Sequence, residues 1–105
     1  EAHYNIGLVL NEQENLEKAV AAYNEAILYK SDYPETYNNM GNTLKEQNKL
    51  DEALSAYESA LALKPNYAEA KYLESLSRVS LGEEANLLKE FNKVWESTFT
   101  SNIHD

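Results

Sequence analysis

The chain repeats itself every 34 residues. Laid against itself at that offset, residues 1–33 face residues 35–67 without a gap, and 13 of 33 positions are identical. They include Asn5/Asn39, Gly7/Gly41, Leu10/Leu44, Ala19/Ala53, Tyr23/Tyr57, Ala26/Ala60 and Tyr33/Tyr67. Two Ala- and Glu-rich helices share a few alanines by chance, but chance does not stack glycine on glycine and tyrosine on tyrosine in one register. A repeat of this length is a structural unit too small to bury its own apolar face, so neighbouring units must stack.

Each unit reads as two helices. In the second, Glu35–Gln47 and Asp51–Leu63 are separate apolar-periodic runs. Tyr37, Met40, Gly41 and Leu44 recur at the spacings of three and four that one helix face requires, and so do Leu50, Ala53, Leu54, Tyr57, Ala60 and Leu61. Asn48-Lys49 is a polar break between the runs. Lys64-Pro65-Asn66 ends the second, because proline has no N–H to donate and crowds the preceding turn. There are no alternating Val/Ile/Thr runs and no Asn-Gly hairpins, so strands are not expected. The fold class is all-α, with unit one at residues 1–33 and unit two at residues 34–67.

Small residues set the packing. Gly7 and Gly41 lie in mid-helix, where glycine costs up to about 1 kcal/mol relative to alanine. A cost repeated at one period predicts close helix–helix approach. Ala19, Ala26, Ala53 and Ala60 offer equally shallow surfaces, with Tyr23 and Tyr57 filling the space between.

The third segment starts in register and then drifts. Ser75 stands where Gly7 and Gly41 stood, Leu87 where Ala19 and Ala53 stood, and Phe91 where Tyr23 and Tyr57 stood. Residues 68–97 are expected to form a divergent third unit, or a pair of capping helices, and residues 98–105 a flexible tail. If Ala70 holds the register, Tyr72, Leu73, Leu76 and Val79 face outward from the usual core side. Four apolar residues at those spacings seldom stay exposed. Three covers are open: rotation of the helix onto unit two with a capping role, the tail with Phe99 and Ile103, or a partner or dimer contact through those four residues.

These residues resemble the tetratricopeptide repeat (TPR). Asn39-Met40-Gly41-Asn42, Ala53, Tyr57, Ala60 and Pro65 stand where that family carries its signature residues. Unit one departs twice, with His3 in place of an aromatic and Ser31 in place of the closing proline. The resemblance covers about 97 residues and is weaker after residue 67. It implies a right-handed superhelix of about three stacked helix-turn-helix units, an α-solenoid. The first helix of each unit lines a concave groove, and a protein or an extended peptide binds there. Bacterial members of the family look similar, and so do the repeats of O-linked N-acetylglucosamine transferase.

In this alignment the groove-facing positions of unit one are Glu1, Tyr4, Asn5, Leu8, Asn11 and Glu12, and those of unit two are Glu35, Asn38, Asn39, Asn42, Lys45 and Glu46. Tyr4, Asn5, Leu8, Asn38, Asn39, Asn42 and Lys45 are the candidate peptide-binding residues. A plain solvated helix face is the competing reading. Asn5 and Asn39 occupy equivalent positions, and a side-chain amide can both donate to and accept from a peptide unit. The pair resembles the asparagine ladder of the transferase repeats, cut to two rungs because the third position is Leu73. The family's carboxylate clamp for acidic chain ends needs Lys and Asn on the first repeat and Lys and Arg on the third. Here those places hold Tyr4, Leu8, Glu69 and Leu73, which argues against that mode.

Charge and composition exclude other classes. With 18 acidic and 9 basic side chains, the formal charge is −9, which disfavours nucleic-acid phosphates and anionic membrane surfaces. There is no Cys, hence no disulfide, thiol nucleophile or Cys-ligated zinc. His3 and His104 are the only histidines. His3 fits a packing role, and two distant histidines do not build a metal site. No catalytic group, cofactor or metal is expected, so the chain is read as a non-enzyme. The absence of Cys, of a signal peptide and of a membrane-length apolar run points to the cytoplasm. Residue 1 is Glu, and the chain is read as an excerpt of something longer. Two alternatives to peptide binding follow: a self-associating scaffold segment forming a homo-oligomer, or a substrate-selecting arm of a larger transferase.

Overall fold

The computed structural model describes residues 2–30 and 32–104, with side-chain surroundings for residues 2–30 and 32–97. Five helices follow one another: α1 Ala2–Glu12, α2 Leu16–Tyr29, α3 Pro34–Glu46, α4 Leu50–Leu63 and α5 Ala68–His104. No strand occurs among the described residues. α1 packs on α2 and α3 on α4, and the pairs are joined by α2 against α3 and α4 against α5. The result is elongated, 66 × 29 × 20 Å with a radius of gyration of 18.6 Å, where a compact chain of this length would have about 13 Å. It is an all-α repeat solenoid. No described helix is long and apolar enough to cross a membrane.

The two turns inside the pairs are built alike. Glu14 and Asn48 adopt φ of 60° and 62°. Around them Asn15 N–H reaches Leu10 O at 2.8 Å and Glu14 N–H reaches Asn11 O at 3.0 Å. Lys49 N–H reaches Leu44 O and Asn48 N–H reaches Lys45 O, both at 2.9 Å. This pairing of a six-to-one and a five-to-two bond is the Schellman helix ending, with the left-handed residue at C′. Between units, Pro34 takes the first turn of α3, where its missing N–H would have had no intrahelical partner anyway.

The core follows the repeated small and aromatic residues. Ala19, Ala53, Ala60 and Tyr57 are wholly buried, and Tyr23 nearly so. The close approach expected at the glycines is present. A Cβ on Gly7 would stand 2.5 Å from Cε1 of Tyr23, and one on Gly41 2.6 Å from Cε1 of Tyr57. His3 also packs as expected, stacked on Tyr29 with ring centroids 5.2 Å apart.

The third unit departs from expectation. Instead of two helices over residues 68–97 and a tail, α5 is one helix of 37 residues. The expected tail, residues 98–105, is helical in backbone as far as His104, and its side chains lie outside the described residues. The polar Asn-Lys break of unit two has no counterpart here, and extending an existing helix costs far less than nucleating a new one. Nor does the helix rotate. Ala70 and Ser77 are buried in α5, as Thr36 and Thr43 are in α3. Ser77 and Thr43 are placed alike, each hydroxyl beside the carbonyl four residues back, Leu73 at 2.9 Å and Asn39 at 3.1 Å. Keeping that register sends Leu73 against the Leu44/Tyr57 cluster, while Tyr72, Leu76 and Val79 stay exposed. Of the four residues read as a partner contact, Leu73 is partly buried against the core.

Candidate functional site

Because α1 and α3 are first helices of successive units, they lie side by side with α2 behind them. The space between them is a groove of about 470 Å³, lined by Leu8, Asn11, Tyr23, Asn39, Asn42, Lys45 and Glu46. Four of the seven candidate binding residues, Leu8, Asn39, Asn42 and Lys45, are brought together here. Tyr23 of α2 stands behind them, 1% exposed. Pattern reasoning assigned Tyr23 to packing alone; a tyrosine between two glycine-bearing first helices was the signal that it also backs the groove.

Hydrogen bonds hold the lining in place. The Tyr57 hydroxyl donates to Asn42 Oδ1 at 2.6 Å, which fixes the Asn42 side chain and leaves its two amide donors for a ligand. The buried Thr43 hydroxyl reaches Asn11 Oδ1 at 2.6 Å, tying α3 to α1. Thr43 was not singled out from the sequence, because its repeat partner is Val9 and nothing marks the position as polar.

The asparagine pair does not form a ladder. Asn39 Nδ2 donates to the Tyr4 hydroxyl at 2.7 Å. Asn5 instead borders a shallow apolar hollow with Ile6, Val9 and Leu10 on the exposed side of α1. The reason is geometric: this helix edge faces the preceding unit. Asn39 finds α1 there, whereas the same side of α1 is open, with Ile6 and Val9 49% and 52% exposed. Asn38 is also displaced from the expected role. It is 1% exposed and its Nδ2 donates to Glu69 Oε1 at 3.3 Å, joining α3 to α5. Its Oδ1 is buried without a partner.

Tyr4 stands beside the groove, held to its lining by Asn39. Its ring meets Tyr33 edge-on at 5.4 Å and lies 6.2 Å from Tyr23. Burial pushes the Tyr4 hydroxyl above its ordinary pKa, with the charges of Tyr33, Glu35 and Glu69 acting in the same direction against the Asn39 hydrogen bond. Tyr67 is raised by burial and by Glu69 and Glu35. Lys64 stands 5.0 Å over its ring, as Lys30 stands 5.4 Å over that of Tyr33. This neighbouring cluster is aromatic, with Lys30 and Lys64 set against Glu35 and Glu69.

Burial dominates at the two core tyrosines, pushing each hydroxyl up to about 12. At Tyr23 the neighbouring Tyr4 adds to this, and at Tyr57 Glu69 and Glu46 do. The sign of the linkage follows. A raised pKa in the folded state favours the neutral phenol, so the stabilisation is complete below about pH 10 and is lost as pH climbs towards 12. Helical circular dichroism should therefore hold to about pH 10 and then fall cooperatively as tyrosinate absorbance rises. Full ionisation of all tyrosines near pH 10 with the helices intact would contradict the burial described here.

Comparison with known proteins adds the following. The family described as tetratricopeptide repeat matches residues 34–67, and the TPR repeat family matches residues 7–47. No curated protein matches. Among 83 matching chains of solved structures, one similar fold is the second TPR of Spaghetti (RPAP3) bound to the HSP90 peptide SRMEEVD. It superposes with a TM-score of 0.75 at 19% identity, covering 87% of this chain and 84% of that one.

Proposed function

The chain belongs to the tetratricopeptide-repeat family, and from that premise we propose that it binds an extended peptide segment of a partner protein in the groove between α1 and α3. One observation carries the reading: hydrogen-bonding groups of two successive first helices converge on a single hollow with an apolar side. Asn42, Lys45 and Asn39 supply donors and a positive charge, while Leu8 supplies apolar surface in front of the buried Tyr23 ring. Such a mixture suits a backbone with occasional apolar side chains. The bound peptide in the structurally similar RPAP3 domain supports peptide as the ligand class. The electrostatics favour a different peptide from that one. Glu46 lines the groove beside Lys45 and the chain carries a formal charge of −9, which disfavours an acidic segment such as that one. The role is one of binding, not of catalysis.

Peptides selected from a random displayed library against this chain provide the test. Asn42→Asp keeps an acceptor for the Tyr57 hydroxyl and removes the donors, and Lys45→Ala removes the charge. Together they should weaken the selected peptides by roughly tenfold or more, with far-ultraviolet circular dichroism unchanged. Unaltered affinity across all selected peptides would reject the groove as the site.

A further inference from the structure

α5 is one helix where the repeat asks for two. Gly82 lies 34 residues after Asn48 and 68 after Glu14, the two left-handed residues that end α3 and α1. It is the residue type best suited to that conformation. Yet Gly82 has no positive φ, and a Cβ there would meet nothing within 4 Å. No contact calls for glycine at this position in the extended helix.

Apolar surface is left open on both sides of Gly82. Tyr72, Leu76 and Val79 are 65%, 37% and 58% exposed, and Leu87, Phe91 and Val94 are 71%, 66% and 64% exposed. The register shows what these surfaces fit. Ser75 stands where Gly41 stands, and Phe91 where Tyr57 stands, and Tyr57 lies directly against Gly41. The second half of α5 therefore carries the apolar side of such a pair, whereas Tyr72, Leu76 and Val79 stand where Asn38, Asn42 and Lys45 stand in α3, off that contact. All six exposed residues share a face. Successive spacings of four, three, eight, four and three place the six residues within about 120° of one another on a straight helix. One helix laid alongside can cover them all.

We propose that this helix is the α5 of a second copy of the chain. The two α5 helices run antiparallel and cross beside Gly82, so that residues 84–97 of each copy lie on residues 68–81 of the other. Tyr72 then meets Val94 of the second copy, and Val79 meets its Leu87. These pairings are both centred on residue 83, which makes the contact self-complementary about a two-fold axis, as a dimer interface must be. At roughly 100 Å² apiece these six side chains provide about 600 Å² per copy, the lower end of what each partner buries in a specific interface. The exchange covers both surfaces without bending the helix, and it leaves the groove between α1 and α3 open. It does not depend on the peptide-binding reading.

Light scattering over a wide concentration range is expected to show a dimer, and Phe91→Glu to make it monomeric. The pairing itself is tested by Tyr72→Cys with Val94→Cys in this cysteine-free chain. On oxidation the double variant should form a covalent dimer. Neither single variant should do so, because like positions are separated by 22 residues of rise, about 33 Å. A disulfide within one chain would mean that α5 bends at Gly82 and completes its own helix pair, and would overturn the proposal. So would a wild-type chain that stays monomeric at every concentration.

Discussion

Gly41→Ala should destabilise the fold by roughly 2–3 kcal/mol, lowering the melting temperature by roughly 10–20 °C for a domain of this size. Helix propensity alone predicts the opposite, since alanine is better than glycine in mid-helix by about 1 kcal/mol. Packing decides the sign. The new methyl would sit 2.6 Å from Cε1 and 2.8 Å from Cδ1 of Tyr57. That ring is fully buried and its hydroxyl is bonded to Asn42, so it cannot swing away as the free end of a surface side chain would. α3 and α4 must separate instead. Gly82→Ala is the internal control. Nothing lies near its Cβ, so propensity acts alone and the variant should gain about 0.5–1 kcal/mol. Opposite signs for the same substitution in one chain, read by chemical denaturation, would establish that contact and not backbone freedom selects Gly41. A Gly41→Ala variant as stable as the wild type would show that the helices are less closely packed.

Tyr57→Ala should cost more, about 3–5 kcal/mol, the range for removing a buried aromatic side chain. The ring is wholly buried, and it belongs to the cluster with Leu44, Ala53 and Ala56 against which Leu73 of α5 packs. Its loss should therefore loosen both the second unit and the seat of α5. Tyr57→Phe removes only the hydroxyl and its 2.6 Å bond to Asn42, a change of about 1 kcal/mol. The informative variant is the double one. Without the ring, the methyl of Gly41→Ala meets no obstacle, so Gly41→Ala with Tyr57→Ala should cost no more than Tyr57→Ala alone. The coupling would be about 2–3 kcal/mol, far above what independent sites show. Strict additivity would separate the two residues and remove the reason for glycine recurring at this period.

The 34-residue period carried much of the fold because it is a packing rule written twice. It placed α3 and α4 within a residue of their observed ends, and it paired Gly7 with Tyr23 and Gly41 with Tyr57. Leu8, Asn39, Asn42 and Lys45, read from it as candidates, line one hollow, since side chains off the apolar stripe of a first helix face that space. Asn38 was misread for the same reason. A polar residue off the stripe looks exposed, but α5 covers that edge and buries Asn38 against Glu69. Equivalent residues also need equivalent surroundings. Asn5 and Asn39 match in sequence, yet only Asn39 has a tyrosine hydroxyl within reach. The end of a helix is hardest to read, because it depends on what the next segment packs against. Gly82 permits a turn, but permission alone does not make one, and α5 continues to His104.

The central claim is that the groove between α1 and α3 receives the partner peptide. Titrating an isotope-labelled chain with a library-selected peptide, and following the amide resonances, tests it most directly. The account predicts shifts concentrated at Leu8, Asn11, Asn39, Asn42 and Lys45, with the side-chain amide of Asn42 among the largest. Shifts confined to the exposed face of α5, or to Ile6 and Val9 on the open side of α1, with the groove resonances unmoved, would contradict it.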